Sequence, residues 1–184
     1  MLNKGELRER NIQFWSDFKE YMRPAISSNG RRINWLSYPT SVKFLYLRME
    51  CDKTGARLNF DIQAKDPAVR EIVWEQMEEL KKVLTDSMGE PGDWNPTCFS
   101  ADIESFGRIS WELKGVNFFV ADDHAEIFKF LKEKIIAFDE FYQNYKDILI
   151  GLIKQLFNYH WNLRFRFPNF TLNCSVIRVR LFLD

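Results

Sequence analysis

The chain predicts an α+β fold: an antiparallel sheet of about five strands with three helices packed mainly on one face, in the order α-β-β-β-α-β-β-α. Two segments and their arrangement carry this prediction. Residues 56–64, "ARLNFDIQA", alternate cleanly: Leu58, Phe60 and Ile62 face one way, and Arg57, Asn59, Asp61 and Gln63 face the other. That is the pattern of a sheet with one wet face. Residues 66–88 instead repeat apolar side chains at helical spacing: Val69, Ile72, Val73, Met77, Leu80, Val83 and Leu84. Strand-like segments also follow one another in runs, as antiparallel neighbours do, rather than alternating singly with helices.

The elements follow in order. Leu7, Phe14, Trp15, Phe18, Tyr21 and Met22 make a helical stripe over 6–22, ended by Pro24, which disfavours helix at Arg23. Residues 32–38, "RINWLSY", are expected as a first strand and 42–50, "VKFLYLRME", as a second. "CDKTG" then turns the chain into 56–64. Asp66-Pro67 opens the next helix, with aspartate as N-cap and proline at the first helical position, and Gly89 stops it. Residues 90–96, "EPGDWNP", read as a loop, 97–103 and 108–114 as strands, and 116–120, "VNFFV", as a further short strand candidate. Asp123 with Glu126 resembles a capping box, starting a helix whose apolar positions run from Ile127 to about 150.

At 184 residues the chain suits one core, and residues 1–150 are read as a single domain. Aromatic residues make up 16%, enough to stabilise that core by burial of large side chains; Trp15 and Trp35 are assigned to it. Residues 151–184 are read as a C-terminal extension, either a β-hairpin or a poorly ordered tail. Charge divides unevenly: residues 1–153 carry 21 Lys and Arg against 25 Asp and Glu, net −4, and residues 154–184 carry five cations against Asp184, net +4. The main body therefore lacks the bulk positive field that drives nucleic-acid binding. In the tail, Arg164, Arg166, Arg178 and Arg180 are candidate nucleic-acid contacts in a basic-aromatic context. No apolar leader and no 20-residue apolar span is evident, so the expected location is cytoplasmic, with no membrane.

The motif search excludes more than it finds. Cys51, Cys98 and Cys174 are far apart, with no spacing for zinc or a disulfide framework. Neither glycine-rich phosphate loop occurs. A Ser-His-Asp or Cys-His set would have to use one of the two histidines, His124 and His160, and no motif context supports it; His124 is expected on the surface of a helix start. One constellation remains. "SWELKG" (110–115) puts Glu112 and Lys114 on one strand face, the second half of a metal-dependent nuclease signature, for which Asp102 or Glu104 would supply the upstream carboxylate. Two carboxylates there would bind Mg²⁺ while the lysine helps activate water. The competing reading is a solvated face, with Trp111 and Leu113 anchoring the strand to its helices. No cofactor is expected.

Six segments resemble a bacterial family of unknown function, DUF4268: "FWSDFKEYMRP" (14–24), "RINWLSYPT" (32–40), "FLYLRME" (44–50), "DPAVREIVWEQMEELKKVL" (66–84), "GRISWELKGVNFF" (107–119) and "FKFLKEKIIAFDEFY" (128–142). Together they span about residues 7–150. Some similar domains are fused behind nuclease-like modules, so the resemblance implies an accessory role near DNA metabolism or defence. It carries no catalytic residues over. "DDHAE" (122–126) departs from the family's tryptophan-containing pattern, and residues after about 150 have no counterpart in it. The expected function is a non-catalytic protein-interaction or accessory module, binding a protein or a second copy of itself. The alternatives are a Mg²⁺-dependent nuclease or nuclease remnant at Glu112 and Lys114, and nucleic-acid binding through the tail.

Overall fold

A computed structural model describes residues 4–103 and 105–166, with the side chains of 156–166 excepted. Helix α1 spans Lys4–Met22 and stops short of Pro24. Strands β1 (Leu45–Cys51) and β2 (Gly55–Ile62) form the expected hairpin. Helices α2 (Pro67–Glu79) and α3 (Lys81–Met88) follow, then β3 (Asp93–Cys98), β4 (Phe106–Lys114) and α4 (His124–Arg166). The four strands pair antiparallel in the order β1-β2-β4-β3.

Alternation along the two central strands decides which face is covered. Leu58, Phe60 and Ile62 of β2 and Ile109 and Trp111 of β4 are buried against the helices. Phe60 and Trp111 both meet Phe138 of α4, with ring centroids 5.1 and 6.2 Å apart. Gly107 lets α2 approach closely, since a Cβ there would lie 2.7 Å from the Trp74 ring. Helix α1 adds Phe14 and Phe18 against Phe128, and His124 joins this aromatic group edge-on to Phe14 at 4.9 Å. The expected surface position of His124 is thus corrected. It is half-buried, and its Nε2 lies 2.8 Å from the Phe118 carbonyl, so that nitrogen carries the proton.

Several boundaries moved, each for a local reason. Residues 32–38 form no strand. Asn34 Oδ1 accepts from Leu36 N–H at 3.1 Å and winds Trp35–Ser37 into a 3₁₀ turn. Both Trp35 and Tyr38 then point inward, which strict alternation forbids. Residues 93–96, read as a loop, belong to β3; Pro96 is tolerated because β3 is an edge strand, and a bulge separates Asn95 from Cys98. Residues 116–120 turn instead of pairing, with Asn117 N–H donating to Asp123 at 2.7 Å and Phe119 N–H to Asn117 Oδ1 at 2.9 Å. Among the described residues the sheet therefore has four strands, where about five were expected.

The single helix expected over 66–88 is two, α2 and α3, meeting at Leu80; its start and stop stand as read. Asp66 accepts from Ala68 N–H at 2.9 Å, and Gly89 adopts φ +73°. Helix α4 does not end near 150. Its 43 residues make a rod of about 65 Å and take in "NLRFR" (162–166), where a hairpin strand was one expectation. Residues 167–184, with the rest of that hairpin expectation, lie outside the described residues.

One buried network ties the 27–40 segment to α4. The Asp139 carboxylate accepts from Ser27 Oγ (2.9 Å), Ser28 N–H (2.6 Å), Tyr38 OH (2.6 Å) and Gln143 Nε2 (3.3 Å). Tyr142 OH donates to the Thr40 carbonyl, and Thr40 Oγ1 donates to Leu45 O at 2.7 Å, carrying the network to β1. Burial, then the Asp139 carboxylate, push the Tyr38 phenol well above its ordinary range, and burial does the same to Tyr142. A raised pKa stabilises the fold fully below the unfolded value of about 10, and that contribution is lost as pH climbs toward the folded value. Melting curves should therefore show a decline setting in above about pH 10. The Tyr38→Phe and Tyr142→Phe variants should decline less steeply than the wild type.

Candidate functional site

Among the described residues the second face of the sheet carries no helix, and the register sets a lattice of charges across it. Glu50 of β1 sits opposite Arg57 of β2, which sits opposite Glu112 of β4. Arg48, Asn59, Ser110 and Asp93 form the next row across all four strands, and Asp61 faces Arg108 in the row after. Each side chain is placed by period-2 geometry alone.

Asp61 is 0% exposed, against the sequence expectation of a wet position. Arg108 grips it with Nε at 2.7 Å and Nη2 at 2.9 Å, a bidentate pair. Gln63 adds a hydrogen bond at 3.2 Å, and Arg48 lies 3.6 Å from Oδ2. That carboxylate raises the Arg108 guanidinium above its ordinary value despite burial. For Arg57, burial is the largest influence and acts downward, but hydrogen bonds to Glu112 (2.7 Å) and Asp52 outweigh it. Asp52 is held down to about 2, first by the Thr54 hydroxyl and N–H and then by Arg57. Arg48 lies over the ring of Tyr46, an exposed aromatic on this face, at 4.6 Å.

Asn59, at the centre of β2, is also 0% exposed, and neither its Oδ1 nor its Nδ2 finds a hydrogen-bond partner among the described residues. A buried amide left unpaired costs about 1–3 kcal/mol, so such groups are rare in native folds. The other fully buried carboxylate, Asp139, is by contrast saturated with donors. A separate concavity of about 450 Å³ between the end of α1 and residues 32–36 is bordered by Lys19, Arg23, Arg32 and Trp35. Among the described residues no unpaired buried polar group points into it, so the sheet face is the stronger candidate.

The expected site residues are scattered. Glu112 and Lys114 do share a face, as drawn from sequence, with Glu112 bonded to Arg57 and 3.6 Å from a largely exposed Lys114. Asp102 is exposed in the connection that enters β4 at Phe106, from which Glu112 is about 20 Å along the strand. Glu104 lies outside the described residues. Among the described residues no group of three or more His, Cys, Asp or Glu is placed to hold a metal ion. Arg164 and Arg166 fall in the last turn of α4 with side chains not described, and Arg178 and Arg180 lie outside the described residues.

Residues 11–146, from the body of α1 to the middle of α4, match the family described as Domain of unknown function (DUF4268). The chain belongs to the DUF4268 family. No curated protein and no solved structure matches it. The matched DUF4268 region contains the whole sheet, so the charge lattice and Asn59 are parts of the family domain and not of the extension after it. Among the described residues no helix of this DUF4268 chain is long and apolar enough to cross a membrane.

Sequence reasoning placed Asn59 and Asp61 on the correct face but missed both as buried. The available signal was three arginines, Arg48, Arg57 and Arg108, each on the wet face of its own strand, a density of long side chains able to cover shorter neighbours.

Proposed function

We propose that this DUF4268 domain is a protein-binding module whose docking surface is the open sheet face around Asn59, and that it acts by binding rather than by chemistry. The observation that carries the reading is the buried Asn59 amide, unpaired among the described residues, beside the paired side chains Arg48, Arg57, Asp61, Arg108 and Glu112. A group that destabilises the free chain is accounted for if a partner completes it. Charge balance argues for protein over nucleic acid. Arg48, Arg57, Arg108 and Lys114 are offset on the same face by Glu50, Asp61, Asp93 and Glu112, with Asp52 beside them, so no net positive field is available to phosphates. Exposed Tyr46 and the arginines are the residue types that anchor protein interfaces. An accessory role in DNA metabolism or defence, implied by the family resemblance, fits such a module.

Site-resolved photocrosslinking tests this. Benzoylphenylalanine in place of Tyr46 or Asp93 should yield one defined protein adduct, a second copy included. The same probe in place of exposed Glu133, on α4, should not. Adducts of equal yield at all three positions would remove the face from consideration. Mg²⁺- or Mn²⁺-dependent cleavage of plasmid or single-stranded DNA, abolished by Glu112→Ala, would replace the binding reading with the nuclease one.

A further inference from the structure

We infer that a second copy of this chain docks on the open edge of β1 by antiparallel strand addition, with Met49 opposite its own counterpart, so that the two sheets run on as one. The edge is separate from Asn59, and the inference does not rest on the reading of the sheet face.

The hydrogen bonds of β1 show which of its main-chain groups are free. Gln63 N–H donates to the Phe44 carbonyl at 2.7 Å at one end of the hairpin, and Asp52 N–H to the Gly55 carbonyl at 3.0 Å at the other. The register between them puts Tyr46, Arg48 and Glu50 in the hydrogen-bonded pairs with β2. The N–H and C=O of Leu45, Leu47, Met49 and Cys51 therefore face away from β2. Leu45 is satisfied locally: its N–H donates to Val42 O at 3.2 Å, and its carbonyl accepts from Thr40 Oγ1 at 2.7 Å. Among the described residues nothing pairs with the outward groups of Leu47, Met49 or Cys51.

The two edges of the sheet differ in this respect. On β3, Pro96 and a bulge between Asn95 and Cys98 oppose strand addition. β1, "LYLRMEC", has no proline, and its register is unbroken from Leu45 to Cys51. Met49 and Cys51 pack on the core but are only half-buried, which leaves apolar surface at the rim for a neighbouring strand to cover.

Charge selects the occupant. On the wet face Arg48 and Glu50 each keep 42% of the side chain exposed, and their ion pairs are long, 3.6 Å to Asp61 and 3.5 Å to Arg108. A two-fold axis through Met49, perpendicular to the sheet, sets each Arg48 opposite Glu50 of the second copy. These are non-hydrogen-bonded pairs, with Cα atoms about 4.5 Å apart. The same axis sets Leu47 opposite Cys51 on the covered face, and the outward N–H and C=O groups of Leu47, Met49 and Cys51 all find partners. Moving the axis by one residue puts Arg48 against Arg48, or Glu50 against Glu50, which is destabilising. The strand is its own complement in one register, so a second copy is the partner it fits.

The test combines light scattering of the full chain over a range of concentrations with amide hydrogen exchange by NMR. The chain should dimerise as concentration rises, and the Leu47, Met49 and Cys51 amides should gain protection in step. The Tyr46, Arg48 and Glu50 amides, already bonded to β2, should not change. Arg48→Glu and Glu50→Arg each bring like charges together and should weaken the dimer at least about tenfold. An equimolar mixture of the two variants, or the double variant, should recover it. Met49→Pro removes an outward N–H and no bond to β2, so it should be a folded monomer, and it keeps the test open if a charge variant fails to fold.

A chain that stays monomeric up to about 1 mM would overturn the inference. So would a dimer indifferent to both charge variants and to Met49→Pro, because its interface would lie elsewhere. Protection of the Leu47, Met49 and Cys51 amides at every concentration would also overturn it, since the edge would then be held within one chain. The sheet-face reading is tested apart from this one by the crosslinking probe at Asp93, on the far edge of the sheet.

Discussion

Asp139→Ala lowers the stability of the domain by about 3–5 kcal/mol, which for a chain of this size is a fall of about 10 °C in melting temperature. The size follows from what the carboxylate does. It is 1% exposed and accepts from the Ser27 hydroxyl, the Ser28 N–H and the Tyr38 hydroxyl, all on one segment, while belonging to α4 itself. Removing it leaves buried or half-buried donors without an acceptor and a void in the core, and each contributes separately. Asp139→Asn should fall between the wild type and Asp139→Ala, since an amide retains one accepting oxygen but turns donors toward donors. Urea titration with a constant m-value would confirm a loss of stability rather than of compactness. A cost of Asp139→Ala under about 1 kcal/mol would mean that the 27–40 segment is held by apolar contacts alone.

Arg108→Ala should be the second large effect, about 3 kcal/mol, because it strips the bidentate partner from a fully buried Asp61 and leaves Arg48 at 3.6 Å as the nearest cation. The decisive comparison is the double variant Asp61→Leu/Arg108→Met, which should recover most of that loss, since an apolar pair has no desolvation penalty to offset. Equal instability of the single and double variants would show that Arg108 contributes through packing over Phe106, whose ring lies 5.2 Å away. Glu112→Ala is the contrast. Its pair with Arg57 is partly exposed, with side-chain accessibilities of 24% and 32%, so it should cost less than about 1 kcal/mol. The carboxylate most visible in the sequence is thus the less consequential for stability, and the buried one, in the less conspicuous "NFDIQ", the more so.

That contrast shows where reading along the chain succeeds. Asp66-Pro67 and Gly89 bounded a helical stretch correctly because capping is settled within three or four residues. The alternation of β2 and β4 oriented Trp111 inward and Glu112 outward for the same reason: pleat is local. Residues 32–38 failed because a side-chain oxygen competed for the backbone, which periodicity does not register. The residues of β3 were set off the mark by Pro96, which reads as a loop until its strand is known to be an edge.

Local chemistry along the chain was sufficient for the α+β class, the direction of each side chain on the central strands and the family to which the chain belongs. It was not sufficient for the candidate site. Whether Asn59 and Asp61 meet water depends on which long side chains stand opposite them, and that is a matter of register between strands up to about fifty residues apart. Burial is a property of neighbours in space, and the order β1-β2-β4-β3 brings Arg48 and Arg108 to the two sides of one aspartate. Tertiary structure alone made a polar stripe into a covered site with one amide left to pair.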